Sequence, residues 1–542
     1  MVVRAGEWHR SRRSGVTVSR RFNTAGPCRP GIDYMVPAAA RLPEALGLVE
    51  QEGYFVVHAP RQTGKTTTLE ALARELTAAG RYAALLFSCE SGRAWEDDIG
   101  SASRAVLERI RAEAERVLPL PLWPPAWPEA AEGSLLVAAL TAWAQACPRP
   151  LVLFADEIDA LRGQSLISVL SQLRDGYRGR PGSFPASVAL CGLRDVRDYK
   201  TASGGDPARL GTSSPFNIKL ESLRLGDFTA DEVRELYGQH TAETGQEFTS
   251  AAVDRAVELT AGQPWLVNAL AREIVEKLAV PPAEPITVDH VEQAKERLIL
   301  ARATHLDSLA ARLAEPRVRR VLGPVLAGDV LTIEPYDDDI AYLRDLGLIA
   351  QDPPVRAANP IYREVIVRVL ASRIQESVIA DPRSFVRPDG TFDLPKMLSE
   401  FTEFWMEHGE FLTSRDYYHE AAPQLVLMGF LQRVVNGGGN VDREYGVGTG
   451  RTDLLIRWPH FAEDGTRRLQ REALELKVWR EGRADPLRAG LRQLDGYLDR
   501  LGLATGVLVV FDQRPNAADI VERTIITTAT SPAGRTITLV RA

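Results

Sequence analysis

The sequence predicts an α/β protein, with a doubly wound parallel sheet over residues 22–220, a helical stretch after it, and a second α/β domain in the C-terminal third. Three observations predict this. The apolar run Tyr54-Phe55-Val56-Val57-His58 leads through Ala59-Pro60-Arg61-Gln62-Thr63-Gly64-Lys65-Thr66 into the helix-like Thr67-Thr68-Leu69-Glu70-Ala71-Leu72. Leu151-Val152-Leu153-Phe154-Ala155-Asp156-Glu157 reads as a strand buried on both faces that ends in two carboxylates, as expected beside the first strand of a parallel sheet. Residues 450–456 and 473–478 read as two further strands around the turn signal Glu463-Asp464-Gly465-Thr466, which makes a hairpin.

The first of these is a phosphate-binding loop between a strand and a helix. Its chemistry needs backbone N–H groups converging on an anion, a lysine that reaches the terminal phosphates, and a hydroxyl that ligates magnesium. Gly64, Lys65 and Thr66 supply these, and Ala59 to Thr67 form the cradle, with Ala59 standing where the pattern has glycine. Asp156 is then placed to hold Mg2+ through water and Glu157 to position the water that attacks the γ-phosphate, so ATP and Mg2+ are the implied cofactors.

The 542 residues are too many for one core and suggest three or four domains. A net charge of −7 argues against a histone-like polyanion binder but leaves room for a local basic groove. Cys28, Cys89, Cys147 and Cys191 are far apart and form no C-x-x-C pair, so they read as buried thiols in a reducing cytosol. No apolar run approaches the roughly 18 residues of a spanning helix, and residues 1–21 lack the apolar stretch of a secretory signal, so a cytoplasmic protein away from the membrane is expected. Those 21 residues carry Arg4, Arg10, Arg12, Arg13, Arg20 and Arg21 against Glu7. They read as a disordered extension rather than a nucleic-acid-binding arm, since they lack aromatic interleaving and periodicity.

Along the first domain, strands are expected at 53–58, 82–88, 150–155 and 187–192. The Pro/Trp-rich stretch Leu118 to Pro128 reads as a loop, and Phe22 to Pro27 as a segment that folds over the nucleotide base. Arg194, just after the strand Ser187 to Gly192, is the candidate γ-phosphate sensor, with Arg197 behind it. Residues 225–312 read as helices, one opened by Gly262-Gln263-Pro264. Residues 315–372 give short helices, a stop at Gly347 and an extended piece, which resembles a winged helix. Asp337-Asp338-Asp339 at the start of its candidate recognition helix would repel phosphates, which favours an intramolecular, regulatory role over DNA reading.

Together the loop, the Asp156-Glu157 strand, Arg194, Gly262-Gln263-Pro264 and the winged-helix-like segment resemble an AAA-like ATPase of the STAND or archaeal type, over residues 22–375. The resemblance implies a nucleotide-controlled switch that assembles with copies of itself.

In the C-terminal third, residues two apart on a strand share a face, so Glu475 and Lys477 lie together and Asp453 of the neighbouring strand can join them. Two carboxylates and a lysine at one sheet edge can hold one or two magnesium or manganese ions and steer a water toward a phosphodiester. These residues, in 395–540, resemble the D…E-x-K set of PD-(D/E)xK nucleases, a restriction-endonuclease-like fold. The resemblance implies Glu420 as an additional metal-associated acid and Gln493 with Tyr497 as a Gln-x-x-x-Tyr element. Arg443, Arg451, Arg467, Arg468, Arg480, Arg483 and Arg488 fit a phosphate-lined groove and equally a soluble surface. The expected organisation is an extension (1–21), an ATPase core (22–222), a helical lid (223–312), a winged-helix-like module (313–375) and a nuclease-like domain (376–542). The leading expectation is an ATP-controlled nuclease acting on nucleic acid, DNA favoured. The alternatives are a nucleotide-dependent switch whose last domain grips DNA or a partner without cutting, and a DNA-binding regulator.

Overall fold

A computed structural model describes residues 20–194, 216–301, 306, 309, 311–327, 337–375, 382–415, 422–435, 438–444, 453–462 and 464–542. The chain divides into two compact units, Met1–Val257 with Gly262–Leu298, and Glu258–Ala261 with Ile299–Ala542. No described helix is long and apolar enough to cross a membrane.

The first unit is built on a five-stranded, all-parallel sheet in the order β2-β3-β4-β1-β5: β1 (Tyr54–His58), β2 (Ala83–Ser88), β3 (Leu151–Asp156), β4 (Ser187–Gly192) and β5 (Lys219–Arg224). Every residue of β3 and β4 is buried, as strands covered on both faces must be. Because side chains alternate along a strand, one face gives Tyr54, Val56, Leu85, Leu153 and Leu190 to a core with α3 (Ile99–Val117), α4 (Leu135–Ala146) and α5 (Gly163–Gly176). The other face gives Phe55, Val57, Val152, Phe154 and Ala189 to a core with α1 (Pro43–Glu50) and α2 (Lys65–Ala78).

Two expectations need correction. The strand of the two carboxylates, β3, is not beside β1: β4 lies between them, pairing Val56 with Leu190 and Leu153 with Val188. Apolar runs reveal strands but not their lateral order, which the crossover connections set. The edge strand β5 was not expected. Only Leu223 of its six residues is buried, so it carries no apolar signal. The Leu118 to Pro128 stretch is a loop containing one 3-10 turn, pinned by the Trp143 Nε1–H bond to Leu122 O (3.0 Å) and by Arg111 over the Trp127 ring.

Helices cover 230–300. Thr229 and Glu232 form a reciprocal capping box at the helix Ala230–Thr244, and Gln263 caps the helix Pro264–Arg272 with Pro264 in its first turn. Gly262 between them has φ +78°, and a Cβ there would lie 1.9 Å from Phe228 O, so only glycine fits. Arg20 and Arg21 belong to this folded unit rather than to an extension: Arg20 pairs with Glu243 at 2.8 Å and Arg21 with Asp33 at 3.0 Å. Residues 1–19 lie outside the described residues.

The second unit begins with the helices Pro316–Ala327, Asp338–Asp345 and Pro360–Gln375 and one antiparallel bridge, Ile349 to Ala357. Gly347, at φ +72°, turns the chain out of the second helix, and Leu348 N–H closes on Leu343 O at 2.9 Å. Asp337 and Asp339 are not free to repel a polyanion. Arg320 bonds both, at 2.7 and 2.6 Å, Arg317 bonds Asp339 at 2.6 Å, and Asp337 caps the helix.

Helices Leu394–Arg415 and Ala422–Val435 precede a six-stranded sheet in the order β10-β11-β9-β8-β7-β6: β6 (Asn440–Glu444), β7 (Asp453–Phe461), β8 (Arg467–Trp479), β9 (Val507–Asp512), β10 (Ile525–Thr530) and β11 (Thr536–Arg541). β6, β7 and β8 run antiparallel, and β7 and β8 form a hairpin whose turn holds Gly465 at φ +77°. The helix Leu487–Leu501 crosses from β8 to the parallel β9 and packs Leu491, Leu494, Tyr497 and Leu498 on Leu455, Ala473 and Leu508.

Candidate functional site

The loop 59–66 opens where β1 ends. Ala59 is fully buried, its N–H bonded to Gly192 O of β4 at 3.3 Å, so the sheet fixes the start of the loop. Gln62 and Gly64 take left-handed φ values of 61° and 90°, and Thr63 Oγ1 donates to Pro60 O at 2.9 Å. Gly64 thereby starts α2, whose first N–H groups and dipole face the loop. Lys65 Nζ donates to the carbonyls of Ala59 (2.8 Å) and Pro60 (2.7 Å), and burial holds this ammonium below its ordinary pKa. Arg61 sits exposed on the loop.

Thr66 Oγ1 donates to Asp156 Oδ2 at 2.6 Å, so the loop hydroxyl and the carboxylate at the end of β3 meet where a magnesium ion bridged to phosphate would be held. Asp156 Oδ1 accepts the Glu157 N–H at 2.9 Å. Glu157 turns out of the strand at φ 54°, and Ser88 Oγ at the end of β2 donates to its Oε2 at 2.6 Å. Burial pushes the Glu157 carboxyl up, helped by Glu90, Asp156 and Asp159 and opposed by Ser88. The residues present fit ATP with Mg2+: a loop with its N–H groups at a helix start, a half-buried lysine, and a hydroxyl and carboxylate in contact.

Arg194 lies two residues beyond β4, half-buried; Arg197 is outside the described residues. Thr67, expected in the phosphate cradle, is tied instead to the segment before β1. Its Oγ1 accepts the Cys28 N–H at 3.1 Å and so ties the segment 23–28 to α2. That segment lines a cavity of about 120 Å3 with Gly64, Thr68 and residues of the helical region. Trp265 Nε1 donates to Thr24 O at 2.9 Å and Arg272 to Thr24 Oγ1 at 2.6 Å.

Sequence reasoning missed Ser88, a lone serine with no motif around it, and Arg41. Arg41 donates to Thr63 O (2.9 Å) and Gly226 O (2.6 Å) and lies over the Phe228 ring, joining the loop to the start of the helical region. No spacing in the sequence marks it.

In the second unit, Asp453 of β7 stands opposite Glu475 of β8 in the strand register. Glu475 is fully buried. Lys477 Nζ bonds its Oε1 at 2.5 Å, and its Oε2 has no hydrogen-bond partner. Gln493 on the helix Leu487–Leu501 likewise has a buried Oε1 without a partner, whereas Tyr497, one turn on, is wholly inside the core. Glu420 and Arg451 lie outside the described residues. Among the described residues no group of three or more His, Cys, Asp or Glu could hold a metal ion. Arg467 and Arg468 open β8 seven or more residues before Glu475, about 24 Å away at strand rise, so they do not line this site.

Comparison with protein families matches residues 49–199 to the AAA domain family. No curated protein matches the chain. Among solved structures, a Walker-type ATPase of Pyrococcus abyssi is 15% identical, with 64% of this chain and 99% of that chain covered and a TM-score of 0.43. The RuvB Holliday junction branch migration motor of Thermotoga maritima is 18% identical, covering 60% and 93%, TM-score 0.33. Domain III of the replication initiation protein DnaA of Thermotoga maritima is 11% identical, covering 49% and 93%, TM-score 0.30. The family match spans the loop, the contact between Thr66 and Asp156, and the parallel sheet that brings them together, and the first unit of this chain therefore carries an AAA-type P-loop ATPase domain.

Proposed function

We propose that this protein is an ATP-dependent switch: nucleotide bound and hydrolysed in the first unit sets the state of the second, which grips DNA or a protein partner. The observation that carries the reading is the 2.6 Å bond between Thr66 and Asp156, which unites the two halves of a hydrolytic nucleotide site. In this reading Lys65 and the N–H groups at the start of α2 bind phosphate, Asp156 and Thr66 hold Mg2+, Glu157 orients the attacking water, and Arg194 senses the γ-phosphate. Residues 313–375 act as a winged-helix-like module on the rest of the chain. Assembly with further copies and a cytoplasmic location complete the proposal.

A second reading is favoured by the buried, half-satisfied carboxylate of Glu475 opposite Asp453. An acceptor fully removed from water with one oxygen unmatched suits a cation. Asp453 and Glu475, with Glu420, would hold Mg2+ or Mn2+, which when bound neutralises a phosphodiester and acidifies a water. Lys477 orients that water, and Gln493 and Tyr497 support the site from the helix. The element order helix, β6, β7, β8, helix, β9 supports a restriction-endonuclease-like domain.

One experiment separates the readings. The protein is incubated with plasmid, linear and single-stranded DNA and with RNA, with Mg2+ or Mn2+, with and without ATP, beside Asp453→Ala and Lys65→Ala. ATP-dependent retention of nucleic acid without cleavage supports the switch. Cleavage lost in Asp453→Ala replaces it with the nuclease.

A further inference from the structure

The edge strand β10, Ile525-Ile526-Thr527-Thr528-Ala529-Thr530, has β11 on one side and no described strand on the other. It pairs with β11 in unbroken register, from Ile525 opposite Arg541 to Thr530 opposite Thr536, with no bulge to twist the edge away. The turn that joins the two strands is fixed. Asp495, buried on the helix Leu487–Leu501, accepts from Ser531 Oγ (2.6 Å), the Ala533 N–H (2.9 Å) and the Arg535 guanidinium (3.1 Å). The edge is therefore held ready rather than frayed.

Which of its backbone groups face outward follows from β11. Thr538 N–H donates to Gly506 O at 3.0 Å and Ala542 N–H to Val510 O at 2.9 Å, so these positions serve β9. The N–H and C=O of one strand residue point to the same side, so Ile537, Leu539 and Arg541 serve β10 through Ala529, Thr527 and Ile525. Ile526, Thr528 and Thr530 are left with both groups pointing away from the sheet.

Proteins blunt such edges with charge, proline, bulges or cover. The remaining edges of the two described sheets follow that rule: β5 carries Lys219, Glu221 and Arg224, β6 carries Asp442, Arg443 and Glu444, and β2 is buried over most of its length. β10 has no charge and no proline, and all its residues but Ala529 are exposed, Ile525 by 45% and Ile526 by 42%.

We propose that β10 is a pairing surface for a second copy of this chain, joined antiparallel across a two-fold axis at Thr528. The axis sets Thr528 opposite itself and Ile526 opposite Thr530 of the second copy, so each outward N–H and C=O meets its complement. This self-matching selects a second copy: the strand has no charge to meet its like across the axis, and the β-branched side chains at 526, 528 and 530 pair with one another on one face. The surface gives the assembly in the proposed function a place in the second unit, and it does not depend on ATP.

The test is sedimentation equilibrium of the full-length protein without nucleotide. Wild type should dimerise. Thr528→Lys sets two like charges opposite each other, and Thr528→Pro removes an N–H that β11 does not use; each should weaken the dimer by about tenfold or more with the melting temperature kept. Thr528→Ser should leave the dimer intact. Thr528→Cys should give a disulfide-linked dimer on mild oxidation, absent from wild type and from Ile525→Cys, whose two copies stand apart on either side of the axis. Wild type that stays monomeric to the highest soluble concentration overturns the proposal and leaves the edge to a foreign strand. A dimer that survives Thr528→Lys and does not cross-link through residue 528 overturns it too. Assembly that needs ATP and is lost in Lys65→Ala overturns it while the ATP-dependent switch stands.

Discussion

Glu157 shows how much a single side chain's surroundings set the chemistry. Burial and three neighbouring acids push its carboxyl up, while the Ser88 hydroxyl pulls it down. In the proposed role it orients water as the charged form, so activity would be present above its pKa and lost as pH falls through it. Ser88→Ala should move the acid limb of kcat upward relative to wild type, since it removes the bond that holds the carboxyl down; pH profiles of the two proteins read it. Glu157→Gln should lower kcat by roughly 10²–10⁴ and leave nucleotide affinity intact, measured by turnover against calorimetric Kd. Gly262→Ala places a methyl group 1.9 Å from a carbonyl oxygen at a positive φ, and should cost about 3 kcal/mol of stability, seen as a lowered melting temperature. At this scale, the residues that a fixed spacing brings to the loop and the end of β3, Lys65, Thr66 and Asp156, were legible by position. Ser88 and Arg41 were not, since they act through contacts between segments far apart in the chain and carry no local pattern.

Among the elements, β1 to β4 announced themselves as apolar runs, and β5 stayed hidden because an edge strand with one buried residue resembles a loop. The insertion of β4 between β1 and β3 was equally hidden, yet it shapes the site: it puts Gly192 against Ala59 and sends Arg194 off the end of the strand between the two motifs. The seam between the segment 20–38 and the helix Ala230–Thr244 was not legible, because Phe22 to Pro27 reads from the sequence as a segment over the nucleotide base. It is made of Phe22, Tyr34, Tyr237 and Phe248 around His240, whose ring bonds Tyr34 and Gln246. Burial holds His240 below its ordinary 6.5, with Gln246 and Glu243 opposing. The unfolded chain therefore takes up a proton that the folded one resists, so this contribution is complete above pH 6.5 and declines as pH falls below it. The melting temperature of the first unit should drop between pH 7 and 5.5, and less steeply in His240→Gln.

For the whole molecule, each unit has its own sheet and its own core, so calorimetry should resolve two transitions. ATP at a hundred times its Kd should stabilise the first by about 2.7 kcal/mol. A switch requires more: the second transition must also move with ATP, and Lys65→Ala must abolish both shifts. A shift confined to the first transition would show two units that share a chain but not a state. That a second set of strands follows the first domain was legible from the apolar runs at 453–456, 473–478 and 506–511, while the chemistry of that half was not, because E-x-K on a half-buried strand is written the same way for an ion pair and for a metal site. One arrangement in the first unit has a mechanical consequence. Arg20 is pinned to Glu243, Thr24 to Trp265 and Arg272, and Cys28 to Thr67, in that order along the chain. These fastenings lie in series, like stitches along a hem, so tension applied at the N-terminal end would unpick them one by one and arrive at the cavity beside the loop before any strand of the sheet bears load.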